Sequence, residues 1–132
     1  MDGILLLDKP AGITSHDACD EVKKILHVKK AGHAGTLDPM VTGVLVIALE
    51  ESTKALRLFS GLDKEYVGKA HVHADFDINK IKELIKKKFL GKITQKPPKR
   101  SRVKREERER EILDFKILNH DKRNFEFLVS CC

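Results

Sequence analysis

The sequence predicts one globular domain that combines β-strands with α-helices, and three patterns support this. Apolar runs at residues 4–7 and 44–49 are typical of buried strands. Residues 15–26 and 79–90 repeat apolar side chains at helical spacing. Residues 112–118 and 125–129 alternate as two strands joined by a turn. The 132 residues suffice for one domain with a modest core.

The first half of the chain gives clear signals for element ends. Ile4–Leu7 contains no polar residue, which predicts a strand buried on both faces. Thr14 or Ser15 can cap the helix that follows, and Asp17 lies near its positive end. The run at 44–49 reads as a central strand.

A short helix capped by Ser52 then leads into a strand from Glu65 to Asp75. In that strand Tyr66 faces away from His71 and His73. A His-x-His pair can contribute to a metal site, but no Cys-x-x-Cys spacing accompanies it. We therefore expect two solvated strand histidines and no metal.

The charge of the chain is concentrated in one block. The net charge is +6, yet residues 80–110 hold 14 Lys or Arg against 4 Asp or Glu. A basic block on a mildly acidic body is what a phosphate-binding surface requires. The alternative is a solvated, lysine-rich helix of a heat-adapted protein. Both readings stay open for the lysines at 86–88.

The cysteines indicate a reducing compartment, and the hydropathy pattern gives no sign of a membrane span. Cys19, Cys131 and Cys132 are an odd set with an adjacent pair, which makes a poor disulfide framework. No apolar run approaches the length of a membrane span. A cytosolic or nuclear protein is expected.

The most distinctive stretch, residues 32–43, is rich in turn-forming residues and contains one carboxylate. Gly32, Gly35 and Gly43 permit backbone angles that other residues avoid. Pro39 biases Asp38 away from helical geometry. Asp38 is therefore expected in a stiff loop, which suits a carboxylate that must be aimed. The alternative is a surface loop whose Asp bonds the backbone at a turn.

Four blocks in order resemble the TruB-type pseudouridine synthases. His33–Pro39 resembles the catalytic motif of that family, and Lys9–Ser15 resembles its first motif. Lys64–Tyr66 resembles its tyrosine motif. Pro97 and Pro98, followed by Ser-Arg-Val-Lys-Arg at 101–105, resemble a segment of the dyskerin branch, whose archaeal and eukaryotic enzymes are guided by box H/ACA RNA.

The resemblance implies an α+β fold, a pseudouridine synthase core with a mixed, mainly antiparallel sheet and packed helices. It implies isomerisation of uridine to pseudouridine in rRNA or tRNA, a reaction without redox change that needs no cofactor or metal. The implied partners are guide RNA, substrate RNA and the small protein subunits of the box H/ACA particle, without a membrane. The implied location is the cytoplasm of an archaeon or the nucleolus of a eukaryote.

The resemblance also implies roles for individual residues. Asp38 is the nucleophile, Tyr66 stacks on the target nucleotide, and His33 holds the RNA open around the flipped base. The basic segment 97–110 resembles a thumb loop that grips RNA. Its RNA-binding residues are Lys99, Arg100, Arg102, Lys104 and Arg105. The residues implied to support the active site are Lys9, Pro10, Gly35, Thr36 and Pro39.

The sequence departs from the family in three ways. It stops at Cys132, where the family continues into a Gly-Thr-Tyr-Ile-Arg-like motif whose arginine pairs with the catalytic aspartate. We expect no PUA domain within these 132 residues, and Arg102 stands where the dyskerin branch usually has a small residue. We therefore expect residues 1–132 to be a partial catalytic domain, truncated or one half of a split protein, with weak or no activity alone. The alternatives are a non-catalytic RNA-binding or assembly fragment, and a stand-alone enzyme that modifies the T-loop of tRNA.

Overall fold

The computed structural model describes residues 1–96 and 108–132, which form two compact units, Met1–Gly61 and Leu62–Cys132. The first unit contains β1 (Gly3–Lys9), α1 (Ser15–Ile25), β2 (Ala31–Ala34), β3 (Gly43–Leu49) and a 3₁₀ helix (Glu50–Leu58). The second unit contains β4 (Lys64–His71), α2 (Ile78–Lys88), β5 (Gly91–Gln95), β6 (Arg108–His120) and β7 (Asn124–Cys131). Within the described ranges, no helix is both long enough and apolar enough to cross a membrane.

The first unit is a three-stranded antiparallel sheet in the order β1-β3-β2. β3 is its central strand, as predicted. The core forms between β3 and α1, and its buried members are Ala18, Cys19, Val22, Val28, Leu45, Ile47 and Leu49. Burial raises the pKa of the Cys19 thiol, so this cysteine packs in the core as a neutral side chain.

The prediction that β1 is buried on both faces is wrong. Burial alternates along the strand, and Leu6 is 66% exposed. Leu5 and Leu7 pack against the core instead. A run of four apolar residues cannot by itself distinguish a strand covered on both faces from a strand covered on one.

The start of α1 is capped within the predicted pair Thr14 and Ser15, and the cap is a reciprocal capping box with Asp17. The Thr14 hydroxyl accepts a hydrogen bond from the Asp17 backbone N–H at 3.0 Å, and the Asp17 carboxylate accepts one from the Thr14 N–H at 3.2 Å. Thr14 is thus the cap, which leaves the Ser15 hydroxyl available for another contact.

The predicted cap at Ser52 is wrong. The 3₁₀ helix begins earlier, at Glu50, and Leu49 at its N-cap position provides no side-chain cap. Asp2 instead accepts a hydrogen bond from the Glu51 N–H at 2.8 Å. A carboxylate distant in sequence therefore replaces the local cap that the sequence suggests.

The second unit is a four-stranded antiparallel sheet in the order β4-β7-β6-β5. In the chain, α2 lies between β4 and β5. α2 agrees with the predicted helix within two residues, and the Asp77 carboxylate caps it by accepting from the Asn79 N–H at 2.9 Å. β4 ends at His71, four residues before the predicted end at Asp75. Val72 already donates its N–H to the carbonyl of Arg123 in the turn between β6 and β7.

That turn joins β6 and β7 at the predicted place. The Asp121 carboxylate accepts hydrogen bonds from the backbone N–H groups of Arg123 and Asn124, each at 2.9 Å. These bonds lower the pKa of Asp121 because they stabilise its ionised form. The local side-chain bonds thus hold the hairpin register.

Candidate active-site loop

The loop between β2 and β3 contains Asp38. Gly35 begins it with a φ of 72°, a left-handed conformation that favours glycine. A turn follows, in which the Val41 N–H donates to the Asp38 carbonyl at 3.0 Å. The predicted stiff loop is present, but β2 already includes residues 31–34, so His33 lies in an edge strand.

Lys9 lies beneath this loop and is fully buried at 0% exposure. Its Nζ donates to the carbonyls of Pro10, Ile13 and Pro39 at 2.7, 2.9 and 3.0 Å. An ammonium group has three donors, and here each has an acceptor. Full pairing offsets much of the cost of burying the charge. Lys9 thereby ties the end of β1 to the residue that follows Asp38.

Two further contacts hold the loop from both sides of Asp38. On one side the Ser15 hydroxyl donates to the Leu37 carbonyl and accepts from the Leu37 N–H, both at 2.9 Å. On the other side the Gly12 N–H donates to the Pro39 carbonyl at 2.8 Å. The residues before and after Asp38 are therefore anchored to the protein.

The side chain of Asp38 is exposed, while its neighbour Leu37 is buried. Within the described ranges, the Asp38 carboxylate has no hydrogen-bond or ion-pair partner. An anchored backbone with an accessible carboxylate is an arrangement suited to a nucleophile. It is also distinct from the alternative reading, in which the Asp side chain bonds the backbone of its own turn.

His33 faces the core side of the sheet, because its register partner in β3 is Ile47. It is half-buried, and its Nδ1 atom is buried without a partner in the described part of the chain. Burial lowers the pKa of His33, and the neighbouring His16 lowers it further. Both effects favour the neutral form of the imidazole.

Gly32 serves packing and not the turn. A Cβ atom at this position would lie 2.8 Å from the Leu56 Cδ1 of the 3₁₀ helix. Glycine therefore lets the Leu56 side chain pack directly against the backbone of β2, and a larger residue would displace that methyl group. The predicted special backbone angles occur at Gly35 and Gly43 instead, with φ values of 72° and 134°.

Tyr66 lies in the second unit, on the half-buried face of β4, opposite Val129 of β7. The neighbouring position on that face is Gly68, where a Cβ atom would meet the ring of Phe127 at 2.4 Å. The Phe127 ring also stacks on Phe115, with ring centres 5.0 Å apart. Tyr66 thus lies on the same face as Gly68, which is the face that the sequence predicts.

The remaining predicted site residues divide into two groups. Pro10 and Thr36 are exposed next to the anchored positions. The predicted RNA-binding residues Lys99, Arg100, Arg102, Lys104 and Arg105 lie outside the described residues.

His71 ends β4 and His73 follows it outside that strand, and both make local contacts. His71 Nδ1 lies 2.8 Å from Asn124 Oδ1, and the rings of His71 and His73 meet edge to face at 5.4 Å. Across residues 1–96 and 108–132, no group of three or more His, Cys, Asp or Glu side chains is placed to hold a metal ion.

Sequence reasoning missed the roles of Ser15 and Gly12 at the loop. Both lie in the stretch that resembles the first motif of the family, which was the available signal. Two adjacent hydroxyl residues, Thr14 and Ser15, stood where one cap is needed. Which of the two is spare depends on a contact across 22 positions of sequence, which no local pattern reveals.

Curated proteins from archaea resemble this chain. It is 51% identical over 122 residues to the "Probable tRNA pseudouridine synthase B" of Sulfurisphaera tokodaii, covering 92% of this chain and 36% of that protein. It is 47% identical over 131 residues to the protein of the same name from Methanopyrus kandleri, covering 99% of this chain and 38% of that protein. The chain thus spans little more than a third of the length of these relatives.

Solved structures give the same result. One is the crystal structure of a Cbf5-Nop10-Gar1 complex, with a TM-score of 0.88 and 44% identity over 98% of this chain and 39% of that chain. Another is an H/ACA RNP bound to a substrate RNA containing 2'-deoxyuridine, with a TM-score of 0.84 and 40% identity over 98% of this chain and 37% of that chain. The predicted α+β core is confirmed.

The family model described as "TruB family pseudouridylate synthase (N terminal domain)" matches residues 23–132. This range includes the Asp38 loop and all of the second unit. Together with the relatives, it confirms the resemblance drawn from the four motifs. The chain belongs to the TruB family of pseudouridylate synthases.

Proposed function

We propose that this chain provides catalytic residues for the isomerisation of uridine to pseudouridine in RNA. In this reaction the bond from the ribose C1' to N1 of uracil breaks, and a bond from C1' to C5 forms. C5 loses a proton and N1 gains one, so the atoms balance without an oxidant or reductant. The observation that supports the proposal most directly is the exposed Asp38 carboxylate on a backbone anchored at both neighbours.

In this proposal Asp38 is the nucleophile, and it forms a transient covalent bond with the nucleoside. An anchored loop reduces the number of orientations that the carboxylate samples, which lowers the entropic cost of reaching the reactive geometry. Lys9, Pro10, Gly35, Thr36 and Pro39 belong to the supporting structure.

Tyr66 is proposed to stack on the target nucleotide and to accept a proton from it, and His33 to hold the RNA open around the flipped base. The uridine must leave its stack before its attacked atoms become accessible. Stacking on an aromatic ring contributes about 1–3 kcal/mol per base. The neutral form of His33, which burial favours, suits contact with bases through hydrogen bonds and stacking.

The basic segment 97–110 is proposed to contact RNA through Lys99, Arg100, Arg102, Lys104 and Arg105. Its charge, and that of the lysines of α2, fits the phosphate backbone. We further propose small protein partners comparable to Nop10 and Gar1, since these names occur with Cbf5 in the similar structures.

Two substrate classes are each supported by one observation. The similarity to Cbf5 in H/ACA complexes favours an RNA-guided enzyme, and the curated names favour tRNA. We propose the guided reaction as the principal one, because Pro97 and Pro98 with the basic run at 101–105 resemble the guided branch. A tRNA transcript supplied with and without guide RNA separates the two.

The test replaces Asp38 by Asn. RNA labelled with tritium at C5 of uridine releases tritium to water when C5 loses its proton, so release measures isomerisation. The assay uses this chain and also a fusion continued by the remaining residues of the Methanopyrus kandleri relative, of which the chain spans 38%. We expect D38N to lower the rate by at least about a thousandfold and to leave RNA affinity within about twofold.

Asp8→Asn is the matched control, since Asp8 is an exposed carboxylate of the same unit. It should retain both activity and binding. If neither the wild-type chain nor the fusion releases tritium while both bind RNA, the enzyme proposal fails. The RNA-binding or assembly alternative then stands.

A further inference from the structure

We infer that Ser15 is a positioning residue for Asp38. Its hydroxyl bonds the backbone of Leu37 and so determines the orientation of the peptide group that precedes Asp38. The inference rests on the proposed function of Asp38, but it begins from contacts that the chain forms without RNA.

The Ser15 hydroxyl occupies a position that few other side chains could fill. It is 2% exposed, and its single oxygen bonds both the N–H and the C=O of Leu37 at 2.9 Å. A hydroxyl can donate and accept from the same atom, whereas alanine can do neither. Both backbone groups of the buried Leu37 obtain their partner from this one atom.

The bond to the Leu37 carbonyl is the important one for Asp38. That carbonyl belongs to the peptide plane shared by Leu37 and Asp38, so its direction determines the rotation of the Asp38 backbone. Across Asp38, the Pro39 carbonyl is held by Lys9 and by the Gly12 N–H. Without Ser15 the hydrogen bonds that hold the residue before Asp38 would be lost, and the packing of the buried Leu37 side chain would remain.

Ser15 also joins the loop to a well-packed element. It is the first residue of α1, and α1 contributes Ala18, Cys19 and Val22 to the buried core. A loop attached to the end of such a helix inherits its limited mobility. The expected consequence is an ordered Asp38 before RNA binds.

Helix capping does not explain Ser15. Thr14 already forms both bonds of the capping box with Asp17, and Ser15 takes no part in it. Two adjacent hydroxyl residues therefore have separable roles. This gives a matched pair, in which T14A weakens the start of α1 and S15A removes the anchor of the loop.

The first measurement is made by NMR on the 132-residue chain and needs no turnover. In S15A the Leu37 amide should exchange with solvent about tenfold faster, the change that corresponds to loss of one hydrogen bond of ordinary strength. The backbone order parameter of Asp38 should fall. T14A should alter the exchange of the first amides of α1 and leave those of Leu37 and Asp38 unchanged.

The second measurement is the rate of tritium release. It uses the same two proteins as the Asp38 test, which are this chain and its fusion to the remainder of the Methanopyrus kandleri relative. S15A should lower kcat by roughly 10- to 100-fold with KM within about twofold, because misorientation affects the reacting group and not RNA contact. T14A should keep kcat near the wild-type value. Ser15→Cys keeps the volume but bonds weakly, and it replaces S15A if that variant does not fold.

Unchanged Leu37 exchange, or an unchanged kcat, in a folded Ser15 variant would overturn the inference. Failure of both variants to fold would overturn it too, since the hydroxyl would then serve folding and not positioning. An isomerase-inactive wild type with altered Leu37 exchange in S15A is a different result. It would reject the proposed function of Asp38 while confirming that Ser15 holds the loop.

Discussion

Lys9 and Ser15 differ from the other polar residues of the first unit because both are buried and fully paired with backbone carbonyl or amide groups. A buried polar group without such partners would cost roughly 1–3 kcal/mol. Here the partners belong to the turn after β1 and to the Asp38 loop. The same bonds that lower the cost of burial therefore determine the shape of the candidate site.

His33 shows the opposite case, a ring atom that is buried without a partner in the described residues. Its pKa is lowered by burial and by His16, so the unfolded chain binds a proton more readily than the folded chain. Stability from the neutral ring is then fully present above the ordinary histidine pKa of about 6.5, and it is lost as the pH falls through that value toward the lowered folded pKa.

We therefore predict that His33→Gln reduces the loss of unfolding free energy between pH 7 and pH 5. The measurement is urea denaturation of both proteins across that range. His120→Gln is the control, because that imidazole is exposed on β6. Equal pH dependence of wild type and H33Q would contradict the prediction.

At the scale of elements, the antiparallel pairing of β4 with β7 places Gly68 directly opposite Phe127. The ring lies where a Cβ would be, and it stacks on Phe115 from the next strand. The glycine thus allows an aromatic layer to extend across β4 beside Tyr66. Packing, and not a turn, explains this glycine within a strand.

Gly68→Ala should destabilise the protein by about 1–3 kcal/mol, because the new methyl would overlap the Phe127 ring. The double variant with Phe127→Leu should recover part of that loss, since the flat ring is then gone. Chemical denaturation of the two single variants and the double variant gives the coupling energy. Strict additivity would show that the ring moves aside without cost.

At the scale of the whole molecule, the end of α2 presents three consecutive lysines. Lys86, Lys87 and Lys88 occupy its last turn, and none has a carboxylate within 4.0 Å among the described residues. Lys24, Lys54 and Lys69 are each paired with a glutamate. Lys86, Lys87 and Lys88 are therefore not neutralised by a glutamate of the described ranges and are available to phosphate groups.

Replacing the three lysines at 86–88 by Ala should weaken RNA binding and reduce the slope of log K against log salt by about 2–3. The matched control removes Lys24, Lys54 and Lys69, which changes the net charge equally. Filter binding at several salt concentrations measures both. Equal effects of the two triple variants would indicate a general charge effect and no local RNA surface.

The sequence by itself determined the family, the central strand, the two α-helices, the C-terminal hairpin and Asp38 in a stiff loop. These features depend on local patterns and on motifs of a few adjacent residues, which are visible without coordinates. The roles proposed for Asp38, Tyr66, His33 and the basic segment stay predictions.

Only the tertiary structure decided which residues hold that loop. The bonds from Ser15 to Leu37 and from Lys9 to Pro39 join positions 22 and 30 residues apart. The exposed face of β1, the edge strand β2 and the ring above Gly68 are likewise set by what packs alongside. Such contacts depend on how distant segments meet, and a local sequence pattern contains no record of its partner across the fold.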